Sequence, residues 1–338
     1  MNSRSRGTLK AIFGVLLAGG ALAGILYWNY HPTHVAQASM AFGPQVPVPQ
    51  VTSPQVAAPQ DATSATPPTV SAPASRAMPS MAATQVLTEA HQLAVGGQPV
   101  AARKLVNDAL VSGAFASEED ASSAKAFLRD LNDRLLFSPE RVEGDPYVDV
   151  ITIKKGDLLM KIANQYLIPH DLILQINNLP SAKRIKIGQQ LKVIKGPFHA
   201  VVSKSAFTLD VYLGNPGGPE SLYVTTFRVG LGTNDSTPTG LWKITPENKL
   251  RDPVYYSPRG QGIIPSGSPD NPLGHYWIGL TGVDGQAVGK MSYGIHGTID
   301  PASIGKQSSM GCIRLVNEDV AKVYTMLFEG KSFVRVVE

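Results

Sequence analysis

Apolar and polar residues change their spacing in successive blocks along the chain, and each block predicts a different kind of structure. From Ala11 to Trp28 there is no charged residue, and the 18 positions are mainly Ala, Gly, Leu, Ile and Val. A helix of that length spans roughly 27 Å, close to the hydrocarbon thickness of a bilayer. Arg4, Arg6 and Lys10 precede the run, and Tyr27, Trp28 and Tyr30 stand where an interfacial aromatic belt belongs. Residues 1–30 are therefore expected to form an N-terminal transmembrane helix in the inner membrane, with everything beyond it outside the cytoplasm. A cleaved signal segment is the competing expectation, with Ala36, Gln37 and Ala38 offering a small-x-small site. Either way the destination is extracytoplasmic.

Residues 31–81 carry no periodicity. Between Ala41 and Ser80 lie nine prolines and two charges, Asp61 and Arg76. Such a segment cannot bury enough apolar surface to fold, and reads as an extended linker reaching on the order of 100 Å. From Thr84 to Phe137 the spacing becomes helical: Val86, Leu87, Ala90 and Leu93, then Ala101, Leu105, Ala109 and Leu110, then Ala124, Phe127, Leu128, Leu131 and Leu135. Gly96-Gly97 and Ser112-Gly113 punctuate the helices, and Ser117 with Glu118, Glu119 and Asp120 opens the third. The first pair resembles one tetratricopeptide unit. One unit falls short of a stacked array, so residues 82–138 read as a small helical spacer.

Residues 146–196 read as a compact α+β module. Tyr147 to Ile153 alternates like a strand, Leu158 to Tyr166 and Asp171 to Asn177 have helical spacing, and Ile185 to Val193 turns into a closing strand. From Phe198 onward the period is two, over His199 to Leu213, Leu222 to Val229 and Gly240 to Ile244. One helix is expected late, from Glu318 to Phe328, capped by Asn317 and stopped by Gly330, before a last strand at Ser332 to Val337. Residues 198–338 are thus expected to form a mainly β domain, a β-sandwich with a late helix.

The charge balance, 30 Lys and Arg against 26 Asp and Glu, adds little. No basic run of the kind that tracks a phosphate backbone occurs, so no nucleic-acid partner is expected. High Gly (32) and Pro (26) fit the linker and the turn-rich β domain. The single cysteine changes the picture more. Exported proteins use cysteines in pairs, and Cys312 has no intrachain partner. It is either a small buried hydrophobe or a reactive thiol.

Its neighbours decide between those two. Tyr293-Gly294-Ile295-His296-Gly297-Thr298 is followed by Ser308-Ser309-Met310-Gly311-Cys312-Ile313-Arg314. Amide exchange by a thiol needs a thiolate, a base and donors for the oxyanion. Cys312 can supply the first, His296 the second, and the backbone N–H groups of Met310, Gly311 and Cys312 the third. Gly311 leaves room for substrate to approach main chain. Arg314 has two open roles, pairing with a substrate carboxylate or tying down the loop through carbonyls. Ser309 is expected to brace the loop, and Ser309 and Tyr293 are candidate substrate contacts. His199 and His275 read as packing or surface residues. No metal-site spacing is present, and no cofactor is expected.

Two resemblances follow from these residues. Gly156-Asp157-Leu158, Ile162-Ala163, Tyr166, Asp171-Leu172, Ile176-Asn177 and Ile187 to Leu191 resemble a LysM domain. That resemblance implies binding of N-acetylglucosamine-containing glycan strands, with Gly156, Asp157, Leu158 and Asn177 as candidate contacts. Leu158-Leu159-Met160 stands where the family usually has Thr and Ser. Residues 198–338 resemble an L,D-transpeptidase catalytic domain of the YkuD type, through Thr237 to Gly240, Asn271 to Gly274, Trp277 to Gly279, Gly294 to Thr298, Ser303 to Gly305 and Ser309 to Leu315. The resemblance implies that Cys312 is the nucleophile, His296 the general base, and the Gly297 carbonyl the group that orients it. Its substrates would be peptidoglycan stem peptides, joined in 3→3 cross-links through a cysteine thioester. Many members have His where this chain has Met310. Water or a protein amine as acceptor are alternatives within the class. A wall-binding protein with an inert catalytic domain is a rival outside it, and a papain-like protease another, although there the Cys precedes the His.

Overall fold

The computed structural model describes residues 80–338 except 116, 258–259 and 261. The expected membrane helix and linker lie outside the described residues. Among the described residues no helix is long and apolar enough to cross a membrane.

The helical segment forms three helices, α1 (Met81–Val95), α2 (Pro99–Val111) and α3 (Glu118–Leu135). Local chemistry sets their starts. Ser80 Oγ accepts from Ala83 N, Ser117 Oγ accepts from Asp120 N, and Pro99 occupies the first turn of α2. The buried stripe Ala90, Ala102, Val106, Ala124, Leu128, Leu131 and Leu135 is completed by Tyr223, with Tyr212 packed against it. Both tyrosines belong to the β domain. The segment is therefore no spacer held apart from its neighbours: its apolar face is buried on them.

The next module has strand β1 (Val148–Thr152), helices α4 (Leu159–Tyr166) and α5 (His170–Ile176), and strand β2 (Gln190–Ile194), antiparallel to β1. This is the predicted strand–helix–helix–strand order. Lys192 on β2 is buried, and its Nζ donates to the carbonyls of Leu135, Ser138 and Glu140 at 2.6–2.8 Å. Those carbonyls lie in and just beyond the last turn of α3, where helical partners run out. Burial lowers the Lys192 pKa to about 8. Arg103 and Asp145 form a buried ion pair at 2.6 Å between α2 and the approach to β1.

The β domain comprises β3 (Phe198–Ser203), β4 (Thr208–Leu213), β5 (Leu222–Arg228), β6 (Leu231–Gly232), β7 (Gly240–Arg251), β8 (Tyr255–Tyr256), β9 (Ile263–Ile264), β10 (Tyr276–Gly282), β11 (Tyr293–His296), β12 (Gln307–Ser309), β13 (Ile313–Arg314), helix α6 (Asn317–Met326) and β14 (Phe333–Val337). Eight of these strands form one continuous sheet in the order β13-β11-β10-β7-β14-β3-β4-β5. This corrects the expected sandwich. The last strand inserts between β3 and β7, parallel to one and antiparallel to the other, and so joins both halves into a single curled sheet. A period of two shows that strands alternate faces; it does not reveal which strands pair. The late helix was expected from Glu318, and it starts one residue earlier. Asn317 does not cap it; its amide donates instead to Thr298 O at 3.2 Å.

Strand β5 is a sheet edge, and its outward backbone groups need partners. Two asparagines supply them. Asn107 Nδ2 donates to Ser221 O at 2.8 Å while its Oδ1 accepts from Tyr223 N at 2.9 Å. Asn132 Nδ2 donates to Tyr223 O at 2.9 Å and Val224 O at 3.2 Å. The asparagines act as the missing strand. Asn107→Ala should cost about 1–3 kcal/mol, because Tyr223 N–H and Ser221 C=O would be left buried without partners. A urea unfolding curve measures this, and an unchanged midpoint would mean that the helices do not cap the edge.

Candidate active site

The site is built where the parallel pair β11 and β13 meets the loop ahead of β13. Ile295 pairs with Ile313 and His296 with Arg314. Alternation then places His296, Cys312 and Arg314 on one face of the pair, while Ile295 and Ile313 point into the core. Cys312 falls one two-residue step from the position opposite His296, about 6.6 Å along the strand and about 4.8 Å across.

His296 is 4% exposed, and its Nδ1 lies 2.7 Å from Gly297 O. A carbonyl only accepts, so Nδ1 carries the proton and Nε2 keeps its lone pair. Burial pushes the His296 pKa down to about 4; the Gly297 bond opposes this and the Arg314 charge adds to it. Trp277, its cross-strand partner, stacks on the imidazole at 5.9 Å between ring centres and 22°. The same indole covers Gly294, where an added Cβ would lie 2.6 Å from the ring. At Gly297 an added Cβ would collide with Asn317 Oδ1. The two glycines beside His296 are thus required by packing.

Burial raises the Cys312 thiol pKa, and the Gly294 backbone N–H and the Arg314 charge pull it back. The resting pair is therefore neutral thiol and neutral imidazole. Ser309 is buried and braces the loop from within: its Oγ donates to Cys312 O at 2.7 Å and accepts from Gly311 N at 3.1 Å. Of the three N–H groups expected to face an oxyanion, that of Gly311 is thereby engaged. Those of Met310 and Cys312 have no acceptor among the described residues. Gly311 has φ +121°, and an added Cβ would lie 2.7 Å from the Tyr293 ring. Tyr293, tilted against Trp242 at 5.0 Å, walls the loop. Met310 is 55% exposed at the rim.

Among the described residues the Arg314 side chain makes only long bonds, from Nη1 to Ser308 O at 3.4 Å and Ser308 Oγ at 3.5 Å. Its Nε is buried with no partner among the described residues. Loop-tying by this residue is weak, and the guanidinium retains donors for an anion.

The other sequence candidates are dispersed. Gly156, at φ +91°, and Asp157, whose Oδ2 accepts from Lys154 N at 2.7 Å, form a tight turn ahead of Leu158. Leu158 and Met160 are 56% and 53% exposed. Asn177 does not belong with them: its amide donates to Ile173 O and Lys192 O and accepts from Lys192 N, tying α5 to β2. Its hydrogen bonds are spent inside the module. His199 accepts from Phe333 N and stacks on Phe333, and His275 pairs with Asp252 on the surface. Sequence reasoning assigned no role to Trp277 or Thr237, and read Asn317 only as a helix cap. Trp277 and Thr237 stood within the motifs that carry the resemblance, which was the available signal.

Two family models match the chain between residues 151 and 336. Residues 197–336 match the L,D-transpeptidase catalytic domain and residues 151–193 the LysM domain. A Bacillus subtilis protein named as the L,D-transpeptidase YkuD is 33% identical over 186 residues, 53% of this chain and 93% of that protein. A second from the same organism, YqjB, is 38% identical over 140 residues, 40% of this chain and 70% of its own length. Among solved structures, L,D-transpeptidase 1 of Mycobacterium tuberculosis is 23% identical, with 44% of this chain and 66% of that chain covered at a TM-score of 0.28.

Proposed function

The chain belongs to the L,D-transpeptidase family, and from that premise we propose that it forms 3→3 cross-links in peptidoglycan through a thioester on Cys312. The observation that carries this reading is His296 on the strand paired with the one that Cys312 leads into, with Nδ1 committed to Gly297 O and Nε2 left as the base. Cys312 Sγ attacks the carbonyl linking the third stem residue to its terminal D-alanine, and His296 Nε2 takes the thiol proton. As the C–N bond breaks, that proton passes to the departing amine, leaving a C–S thioester. An amine of a neighbouring stem attacks the thioester, gives its proton to His296, and the thiol is restored. The thioester conserves the energy of the cleaved bond, so no nucleotide is consumed.

The loosely held Arg314 guanidinium suits the terminal carboxylate of the donor stem, which matches a planar guanidinium fork. The LysM domain would hold the enzyme on glycan strands, with the turn at Gly156, Asp157 and Leu158 as its contact. The apolar run from Ala11 to Trp28 would tether it to the inner membrane on the periplasmic side.

Muropeptide mass spectrometry after incubation of the purified protein with tetrapeptide donor and a second stem tests the reading. A 3→3 dimer is expected. Tripeptide without dimer would mean that water is the acceptor. Intact tetrapeptide would leave a wall-binding protein and sink the catalytic reading.

A further inference from the structure

Thr237 lies 74 residues from the loop that carries the thiol, yet its hydroxyl is built into that loop. It is 2% exposed, accepts from Gly232 N at 2.9 Å and donates to Gly311 O at 3.0 Å. The bond from Gly232 settles where the hydroxyl proton points. Nearby, Thr233 Oγ1 donates to Ser309 O at 3.2 Å. Gly311 itself has no side chain to restrain it and sits at φ +121°.

A trans peptide is planar, with its C=O and N–H pointing in opposite directions. Holding the Gly311 carbonyl therefore aims the N–H of Cys312 to the other side of the same plane. That N–H has no acceptor among the described residues. Ser309 meanwhile fixes the Gly311 N–H and the Cys312 carbonyl, the groups on either side. We infer that Thr237 is a positioning residue: by locking the Gly311–Cys312 peptide it pre-aims the Cys312 N–H at the oxyanion of the tetrahedral intermediate. The inference rests on the thiol chemistry proposed above. It requires acyl transfer to Cys312, but neither a stem peptide nor a 3→3 product.

Two reagents separate this role from mere folding. Acylation of Cys312 by p-nitrophenyl acetate passes through an oxyanion; alkylation by iodoacetamide is a direct displacement with none. In Thr237→Val, acylation should fall about 10- to 100-fold, somewhat less than the loss of a whole oxyanion donor. Alkylation should stay within about twofold of the unmodified protein. Thr237→Ser, which keeps the hydroxyl, should restore acylation to within about threefold. An unchanged acylation rate in Thr237→Val overturns the inference. So does a parallel fall in both rates, which would make Thr237 a residue of general stability. The 3→3 reading fails on a different measurement, the absence of D-alanine release from tetrapeptide.

Discussion

Cys312→Ala is expected to abolish D-alanine release from purified tetrapeptide, by at least about 10⁴-fold, while binding to glycan persists. No other thiol exists in the chain to take over. Ser309 stands closest in sequence, but its hydroxyl is buried, donating to Cys312 O and accepting from Gly311 N. It has neither a base nor room to reach a carbonyl. Folding should be unaffected, since removing one half-buried sulfur leaves a small gap at the mouth of the site rather than in the core. The glycan contact proposed above lies in the LysM domain, residues 151–193, which has its own strand pair and helices. Residual release above that level in Cys312→Ala would end the thioester mechanism. Loss of glycan binding together with release would point instead to unfolding, which a thermal melt detects.

His296→Gln carries the second largest effect, a loss of about 10²–10⁴-fold in kcat, because the thiol then has no acceptor for its proton. The pH profile of the unmodified enzyme tests the same residue. A histidine in water would lose its basicity as pH falls through about 6.5. Burial holds His296 neutral down to about 4, so activity should be nearly level between pH 5.5 and 7.5 and fall only near pH 4. A midpoint near 6.5 would mean that burial does not depress the His296 pKa. Stability responds with a definite sign. Below pH 6.5 the unfolded chain binds a proton at this position while the folded one does not, so stability is lost as pH falls from 6.5 towards 4. At pH 4.5 this amounts to about 2–3 kcal/mol from this group. The His296→Gln variant should lack that component when urea unfolding is compared at pH 7 and 4.5.

Much of the architecture was legible because the signals are local. Ser80 and Ser117 cap helices with their own side chains, and Lys154 to Leu158 make a turn within five residues. The α+β module and the late helix came out in the predicted order for that reason. Ser309 as a brace was legible too, since its partners Gly311 and Cys312 are two and three residues away. The sheet order was not. The alternation of β14 is the same whether it lies at an edge or between β3 and β7, and only the fold places it there.

By itself the sequence determined the chemistry available: one thiol, a histidine flanked by glycines, and the periods that make strands, helices and turns. Tertiary structure decided what that chemistry can do, through contacts between residues far apart in the chain. Thr237 reaches Gly311 across 74 residues, and Asn107 reaches Tyr223 across 116. Asn177 was read as a glycan contact and is turned inward by Lys192. A side chain's residue type states which bonds it can make, but its direction and its burial come from the packing of distant segments. Those two quantities set the protonation of His296 and the aim of the peptide at Cys312.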